Sequence, residues 1–171
     1  MQTSRTQVVI IGGGPSGMLL SHILDKEGIE SIVLERQSRD YVLQRIRAGV
    51  LESGTINMLR QYGLGERLDR EGAVHDGLGI AWAGREHFFV DAKKLTGKQL
   101  MAFGQTAITE ELYKARDAAG GCVLDSVSDV VLHDIDGGSP YVTYTREEQH
   151  YRIDADYIAG CDGYHPATTP R

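Results

Sequence analysis

Two cysteines and four prolines in 171 residues set the first limits on this chain. Cys122 and Cys161 lie too far apart for a C-x-x-C pair and are too few for a disulfide framework, so disulfide scaffolding and structural zinc have no support. No apolar run approaches the ~20 residues needed to span a bilayer as a helix, and Met1 to Gln7 leads into a short apolar strand rather than a signal-peptide core. A cytoplasmic location and no membrane partner are the expectations. Basic residues are in the minority, with 18 Lys+Arg against 24 Asp+Glu and a net charge of −6, which argues against nucleic acid as the main partner. With 41% hydrophobic and 25% charged residues the composition is that of a globular protein able to bury a core, not of a disordered or fibrous one. Glycine, in contrast, is plentiful at 21 residues.

The run Gln7 to Ile11 (Q-V-V-I-I) predicts a strand covered on both faces, as in a parallel sheet. Between Pro15 and Glu27 the residues Met18, Leu19, Leu20, Ile23 and Leu24 recur at helical spacing, and Gly28 follows as a C-terminal stop. Ser31 to Glu35 (S-I-V-L-E) predicts the second strand of a βαβ unit. Beyond it come a polar, arginine-rich stretch from Arg36 to Arg47 and a helix around Glu52 to Tyr62 stopped by Gly63. Gly79 to Ala83 and His87 to Val90 read as strands joined by a turn at Ala83-Gly84-Arg85. Ile108, Leu112, Ala115 and Ala119 predict an amphipathic helix ended by Gly120-Gly121. Cys122 to Leu132 is strand-like, Asp136 to Pro140 a turn, and Tyr141 to Thr145 an alternating strand. Tyr157 to Cys161 predicts a last short strand running into Asp162-Gly163. Both cysteines are expected to pack as small buried hydrophobes. The fold class is α/β, a parallel βαβ core with added antiparallel strands.

Gly12-Gly13-Gly14-Pro15-Ser16-Gly17 satisfies G-x-G-x-x-G, follows a predicted strand, opens a predicted helix and is answered by Glu35 near the ~20 positions of a dinucleotide fingerprint. Gly12 permits the tight turn, Gly14 admits a pyrophosphate close to the backbone, and Gly17 allows the helix to pack on the sheet. Pro15 and Ser16 open the helix, whose N-terminus offers N–H groups to an anion. Glu35 is placed to accept hydrogen bonds from ribose hydroxyls. Arg36, Arg39, Arg45 and Arg47 concentrate positive charge in an acidic chain, a field suited to phosphates or a solvated basic loop. The fingerprint leaves NAD(P) and FAD both open. No histidine shows metal-ligand spacing, so no metal is expected.

Three further segments narrow the choice. Glu35-Arg36-Gln37 with Tyr41 to Glu52 (Y-V-L-Q-R-I-R-A-G-V-L-E), Phe103-Gly104-Gln105-Thr106, and Tyr157 to Gly163 (Y-I-A-G-C-D-G) closely resemble the corresponding stretches of the class A flavoprotein aromatic hydroxylases, the para-hydroxybenzoate hydroxylases in particular. The resemblance runs from about Gln7 to His165. It implies a Rossmann-like FAD-binding domain, here residues 1–171 as its N-terminal part, and an enzyme that hydroxylates 4-hydroxybenzoate to 3,4-dihydroxybenzoate with NADPH and O2. It implies that Gly12, Gly14, Gly17 and Glu35 hold the ADP part of FAD, that Arg45 and Arg47 lie near flavin and pyrophosphate, and that Gln105 and the Asp162-Gly163 pair contact the cofactors. Arg36, Gln37, Tyr41 and His165 match positions used for NADPH, and His75 matches the outer histidine of a proton relay. Taken alone, His75 reads as a surface or hydrogen-bonded histidine.

The family continues into a substrate domain, a second FAD segment and a helical region. After His165 this sequence reads Pro166-Ala-Thr-Thr-Pro-Arg171, where the family starts a helix. The expectation is therefore an N-terminal portion of such a hydroxylase, with a homodimer possible only for the complete enzyme. The alternatives are a non-catalytic FAD-binding module or inert fragment, a hydroxylase of another phenolic acid, and an NAD(P)-linked Rossmann dehydrogenase, the last disfavoured because βα alternation stops after Glu35.

Overall fold

A computed structural model describes residues 1–47, 49–85 and 87–163. The elements begin with β1 (Gln2–Ile11), α1 (Pro15–Lys26), β2 (Ser31–Leu34) and α2 (Arg39–Gln44). There follow β3 (Val50–Leu51), α3 (Ser53–Gln61), α4 (Gly65–Glu71), β4 (Ala73–His75), β5 (Gly77–Ile80), β6 (Phe88–Asp91), α5 (Ala92–Thr96) and β7 (Leu100–Ala102). The chain continues with α6 (Gln105–Ala118), β8 (Cys122–Leu124), β9 (Ser128–His133), β10 (Tyr141–Arg146) and β11 (Gln149–Gly160). Two compact units result, one from Met1–Ile46 and the chain from Thr109 onward, the other from Arg47–Ile108.

The first unit is built on a six-stranded sheet of order β8-β2-β1-β11-β10-β9. β8, β2, β1 and β11 run parallel, while β11, β10 and β9 pair antiparallel. The sequence pattern changes with the pairing. Val8 to Ile11 is buried throughout, as a parallel strand covered on both faces requires, whereas Val142 and Tyr144 in β10 and Ile153 and Ala155 in β11 are buried at every second position. Val9, Ile11, Leu34, Val127, Val142, Tyr144, Ile153 and Ala155 form one core cluster. Burying each larger aliphatic among them stabilises the fold by about 1.5–3 kcal/mol before entropy is counted.

α1 starts with Pro15 at its first turn and ends where Gly28, at φ +73°, lets its N–H donate to the Asp25 carbonyl and that of Ile29 to the Leu24 carbonyl. α6 carries Leu112 and Tyr113 inward and is closed by Gly120 at φ +69°. Its buried Arg116 reaches Asp25 of α1, with Nη1 2.9 Å from Oδ1, which ties the two helices together.

The second unit holds a three-stranded antiparallel sheet, β3-β7-β4, and the β5–β6 hairpin. Among the described residues its buried apolar ones are Ile56 and Leu59 of α3, Leu68 of α4, Met101, Phe103 and Ile108. The hairpin leaves Leu78, Ile80, Phe88 and Phe89 exposed.

The fold class agrees with the expectation, and several bounds differ. The first strand begins at Gln2, because its polar half still pairs with β11, from Gln2 opposite Tyr151 onward. The last strand is twelve residues long and opens at Gln149. Its charged positions Arg152, Asp154 and Asp156 hid it, as did a turn made by Glu147 and Glu148 at φ +50° and +63°, residue types that do not announce such turns. The expected strand from Cys122 to Leu132 breaks into β8 and β9 at Ser126, which has φ +56°. Cys122 is exposed and Cys161 half-buried, so neither is the buried hydrophobe expected; both sit at strand ends, where the packing thins.

Candidate functional site

The glycine loop between β1 and α1 is shaped by what a side chain would strike. Gly12, at φ +110°, lies so close to the Cys161 carbonyl that a Cβ would overlap it, and a Cβ at Gly17 would overlap the Gly12 carbonyl. At Gly14 nothing lies within 4 Å of the Cβ position, although its φ of −72° suits any residue. The first and third glycines are thus consumed by the fold, and the second faces open space, where a phosphate would approach the backbone. No side chain caps α1, and its first turn holds no acidic residue. Its leading N–H groups and partial positive charge remain available to an anion. These features fit the pyrophosphate of a dinucleotide.

Glu35 stands at the end of β2, beside this loop. Its Oε2 accepts from the Gly13 N–H at 2.7 Å and its Oε1 from the Gln37 N–H at 2.8 Å. The carboxylate is therefore held in place next to the turn, half-buried, where a ribose diol bound along the loop would meet it. The parallel pairing of β1 with β11 sets Ile11 opposite Gly160 and bonds the Cys161 N–H to the Ile11 carbonyl at 2.7 Å. Asp162-Gly163 is thereby delivered to the glycine loop, with the Asp162 nitrogen 2.9 Å from the Cβ position of Gly12.

The arginine-rich stretch resolves into different roles. Arg39 donates to both carboxylate oxygens of Asp117, its backbone N–H donates to Asp125 Oδ2 at 2.9 Å, and its guanidinium carbon lies 4.8 Å from the centre of the Tyr113 ring. The Asp117 hydrogen bond raises its pKa further and keeps it charged. Arg39 is consequently a strut for α2 and drops out of the expected basic field. Arg36, Arg45 and Arg47 are exposed and make no ion pair among the described residues. Tyr41 is also exposed, on α2, whose N-cap Ser38 accepts from the Tyr41 N–H at 3.3 Å.

In the second unit Arg47 and Gln105 belong to adjoining segments. The Phe103 N–H donates to the Gly49 carbonyl at 2.8 Å, Val50 pairs with Ala102, and a Cβ at Gly49 would overlap the Phe103 carbonyl. Gln105 opens α6 and is half-buried. His75 ends β4, opposite Leu100, and is exposed. Its neighbour Asp76 is held below the usual carboxylate range by the Gln99 amide, which donates at 2.6 Å, and by Lys93. His165 lies outside the described residues. Among the described residues no group of His, Cys, Asp and Glu is arranged to hold a metal, and no helix is long and apolar enough to cross a membrane. Partial desolvation pushes both thiols up, against nucleophilic use of either cysteine.

One contributor escaped the sequence reading. Tyr113, in the middle of α6, is buried and donates its hydroxyl to the Gly13 carbonyl at 3.1 Å. It falls outside the stripe Ile108-Leu112-Ala115-Ala119 that the periodicity marks, and nothing local announces a partner 100 residues away.

Comparison with known proteins agrees with this geometry. Residues 5–170 match the family model described as FAD binding domain. The chain is 46% identical over 166 residues to the p-hydroxybenzoate hydroxylase of Acinetobacter baylyi, covering 96% of this chain and 41% of that protein. It is 30% identical to the rifampicin monooxygenase of Streptomyces venezuelae over 91% of this chain and 31% of that one. Among solved structures, the OxyS anhydrotetracycline hydroxylase from Streptomyces rimosus superposes with a TM-score of 0.80 at 26% identity, over 95% of this chain and 32% of that chain. The chain spans less than half the length of these relatives. The resemblance read from the motifs is thereby borne out, and the chain belongs to the FAD binding domain family.

Proposed function

We propose that this chain provides the ADP-binding part of an FAD-dependent aromatic monooxygenase that hydroxylates 4-hydroxybenzoate to 3,4-dihydroxybenzoate with NADPH and O2. The observation that carries the cofactor assignment is the open position at Gly14 between two glycines that the fold closes, next to an oriented Glu35. The substrate rests on the 46%-identical relative, whose name is p-hydroxybenzoate hydroxylase. The two units together would form the N-terminal part of one FAD/NAD(P)-binding domain. A cytoplasmic setting, where NADPH is supplied, and a homodimer of the complete enzyme go with this reading.

When bound, FAD supplies the redox and oxygen chemistry of such an enzyme. The protein's share is binding and orientation. The N–H groups of the loop and the first turn of α1 would take the pyrophosphate, Pro15 and Ser16 forming its rim. Glu35 would accept from the ribose hydroxyls. Arg45, Arg47, Gln105 and the Asp162-Gly163 pair would complete the FAD contacts. The exposed Arg36 and Tyr41, with the half-buried Gln37 and with His165, would serve NADPH, and Arg36 offers a guanidinium suited to a phosphate. His75 would pass the phenolic proton outward, for which its exposure is an advantage.

The deciding experiment is a titration followed by flavin fluorescence on this chain and on Gly14→Val. Saturable binding by the former, and at least tenfold weaker binding by a variant with an unchanged thermal midpoint, is the expected result; equal responses sink the assignment. The 171-residue chain by itself is expected to bind FAD weakly and without sustained formation of 3,4-dihydroxybenzoate. A second reading, an FAD-binding module without catalysis, draws on the family match, which is to an FAD binding domain. It separates from the first by NADPH oxidation in a chain extended to the relative's length.

A further inference from the structure

Against the glycine loop stands a buried polar group that the motif does not call for, the Tyr113 hydroxyl. Tyr113 is 1% exposed, yet its phenol is not merely accommodated. It donates to the Gly13 carbonyl at 3.1 Å, while the N–H of that same residue donates to Glu35 Oε2 at 2.7 Å. A Cβ placed on Gly13 would lie 2.8 Å from both the Glu35 Cβ and the Tyr113 hydroxyl oxygen. Gly13 is therefore held between a residue of α6 and one at the end of β2. The ring is fixed in turn from its outer side, by the Arg39 guanidinium 4.8 Å from its centre, itself locked to Asp117 and, through its backbone, to Asp125.

We propose that Tyr113 is a positioning residue of the cofactor cradle, fixing Gly13 through its carbonyl so that the N–H of the same residue aims the Glu35 carboxylate at the ribose of a bound adenine dinucleotide. The inference rests on the reading of the loop as an ADP-binding site. The G-x-G-x-x-G pattern leaves its second position free and asks nothing of a third helix. In this chain the second position is closed to any side chain, and the aim of the acid depends on a hydroxyl 100 residues away. Burial and the nearby Glu35 charge push the phenol up to about 12, so it stays a donor wherever the cofactor could bind.

The test is a double-mutant cycle in FAD affinity on this chain, read by flavin fluorescence, with Tyr113→Phe, Glu35→Gln and the pair combined. Tyr113→Phe keeps the ring and the Arg39 contact and removes only the donor. It is expected to weaken FAD about three- to tenfold, the range of one lost hydrogen bond. Because Tyr113 acts through Glu35, the pair should lose much less than the product of the single losses. A tyrosine that only fills the core would leave the two losses independent. Hydrogen exchange at the Gly13 amide, measured without ligand, should be several-fold faster in Tyr113→Phe. Unchanged FAD affinity in Tyr113→Phe beside a wild type that binds, fully multiplicative losses, or unchanged Gly13 exchange overturns the inference alone. A wild type that fails to bind FAD overturns the cradle itself, and the inference with it.

Discussion

Glycines of one motif fail in different ways when replaced. Gly17→Ala would drive a methyl group into the Gly12 carbonyl, a backbone atom with no freedom to move aside. Overpacking of that kind costs typically about 1–3 kcal/mol, and urea denaturation of Gly17→Ala is expected to fall in or above that range. Gly14→Ala, with open space and an ordinary backbone conformation, should stay within about 1 kcal/mol of the parent. The pattern in the sequence names three glycines alike, and only the surrounding carbonyls tell a structural glycine from one that faces the ligand. Tyr113 carries a pH signature at the same scale. Its folded pKa, about 12, exceeds the ordinary value of 10, so the folded state holds the phenolic proton more tightly than the unfolded chain. That contribution to stability is complete below pH 10 and is lost as pH rises toward 12. Denaturation midpoints between pH 9 and 12 should therefore fall more steeply for the parent than for Tyr113→Phe; parallel curves would remove this residue from the titration.

Among the elements, α1 and α6 are linked by an ion pair whose two ends differ. Arg116 is 3% exposed, while the Asp25 side chain retains 31% of its exposure. Asp25→Ala would leave the buried guanidinium uncompensated, and a loss of about 3 kcal/mol in a chemical melt is expected. A change under about 1 kcal/mol would mean that water takes over from the carboxylate. This pair was not legible beforehand, since nothing local to either residue announces a partner on another helix. What was legible were the elements with strong local punctuation: β1 and β2 from their β-branched runs, α1 from Pro15 and Gly28, α6 from its period and Gly120. The misses share a cause as well. α2, α4, α5, β3, β4 and β7 are all seven residues or shorter, too short for periodicity to emerge, and β11 is stabilised by partners rather than by its own pattern. In the candidate site, Gly12, Gly14, Gly17 and Glu35 were readable from spacing. The approach of Asp162-Gly163 followed only once β11 was found beside β1, and Arg39 changed from phosphate ligand to strut once Asp117 and Asp125 came into view.

Over the whole molecule, the first unit depends on strands from its two sequence extremes. β1 sits between β2 and β11, and its pairing with β11 runs from Gln2 to Ile11. A chain ended after Arg146 would strip the neighbour from one side of Val8–Ile11 and the partner from β10, and is expected to show no cooperative thermal transition by circular dichroism. A sharp transition in that shortened chain would mean that the βαβ half folds by itself. The hairpin in the second unit, with Leu78, Ile80, Phe88 and Phe89 exposed, adds apolar surface of the kind that marks interaction or aggregation sites.

The central place of β11 also sets a timetable. At ordinary rates of synthesis, roughly ten to thirty seconds separate the emergence of β1 from that of β11. Throughout that interval the buried half of β1, Val8–Ile11, waits with one edge bare, and the cradle beside it lacks Cys161 and Asp162 to close against. A nascent chain of this protein therefore cannot acquire its cofactor early, and in the cell its dependence on chaperones should be greatest just before residue 160 leaves the ribosome.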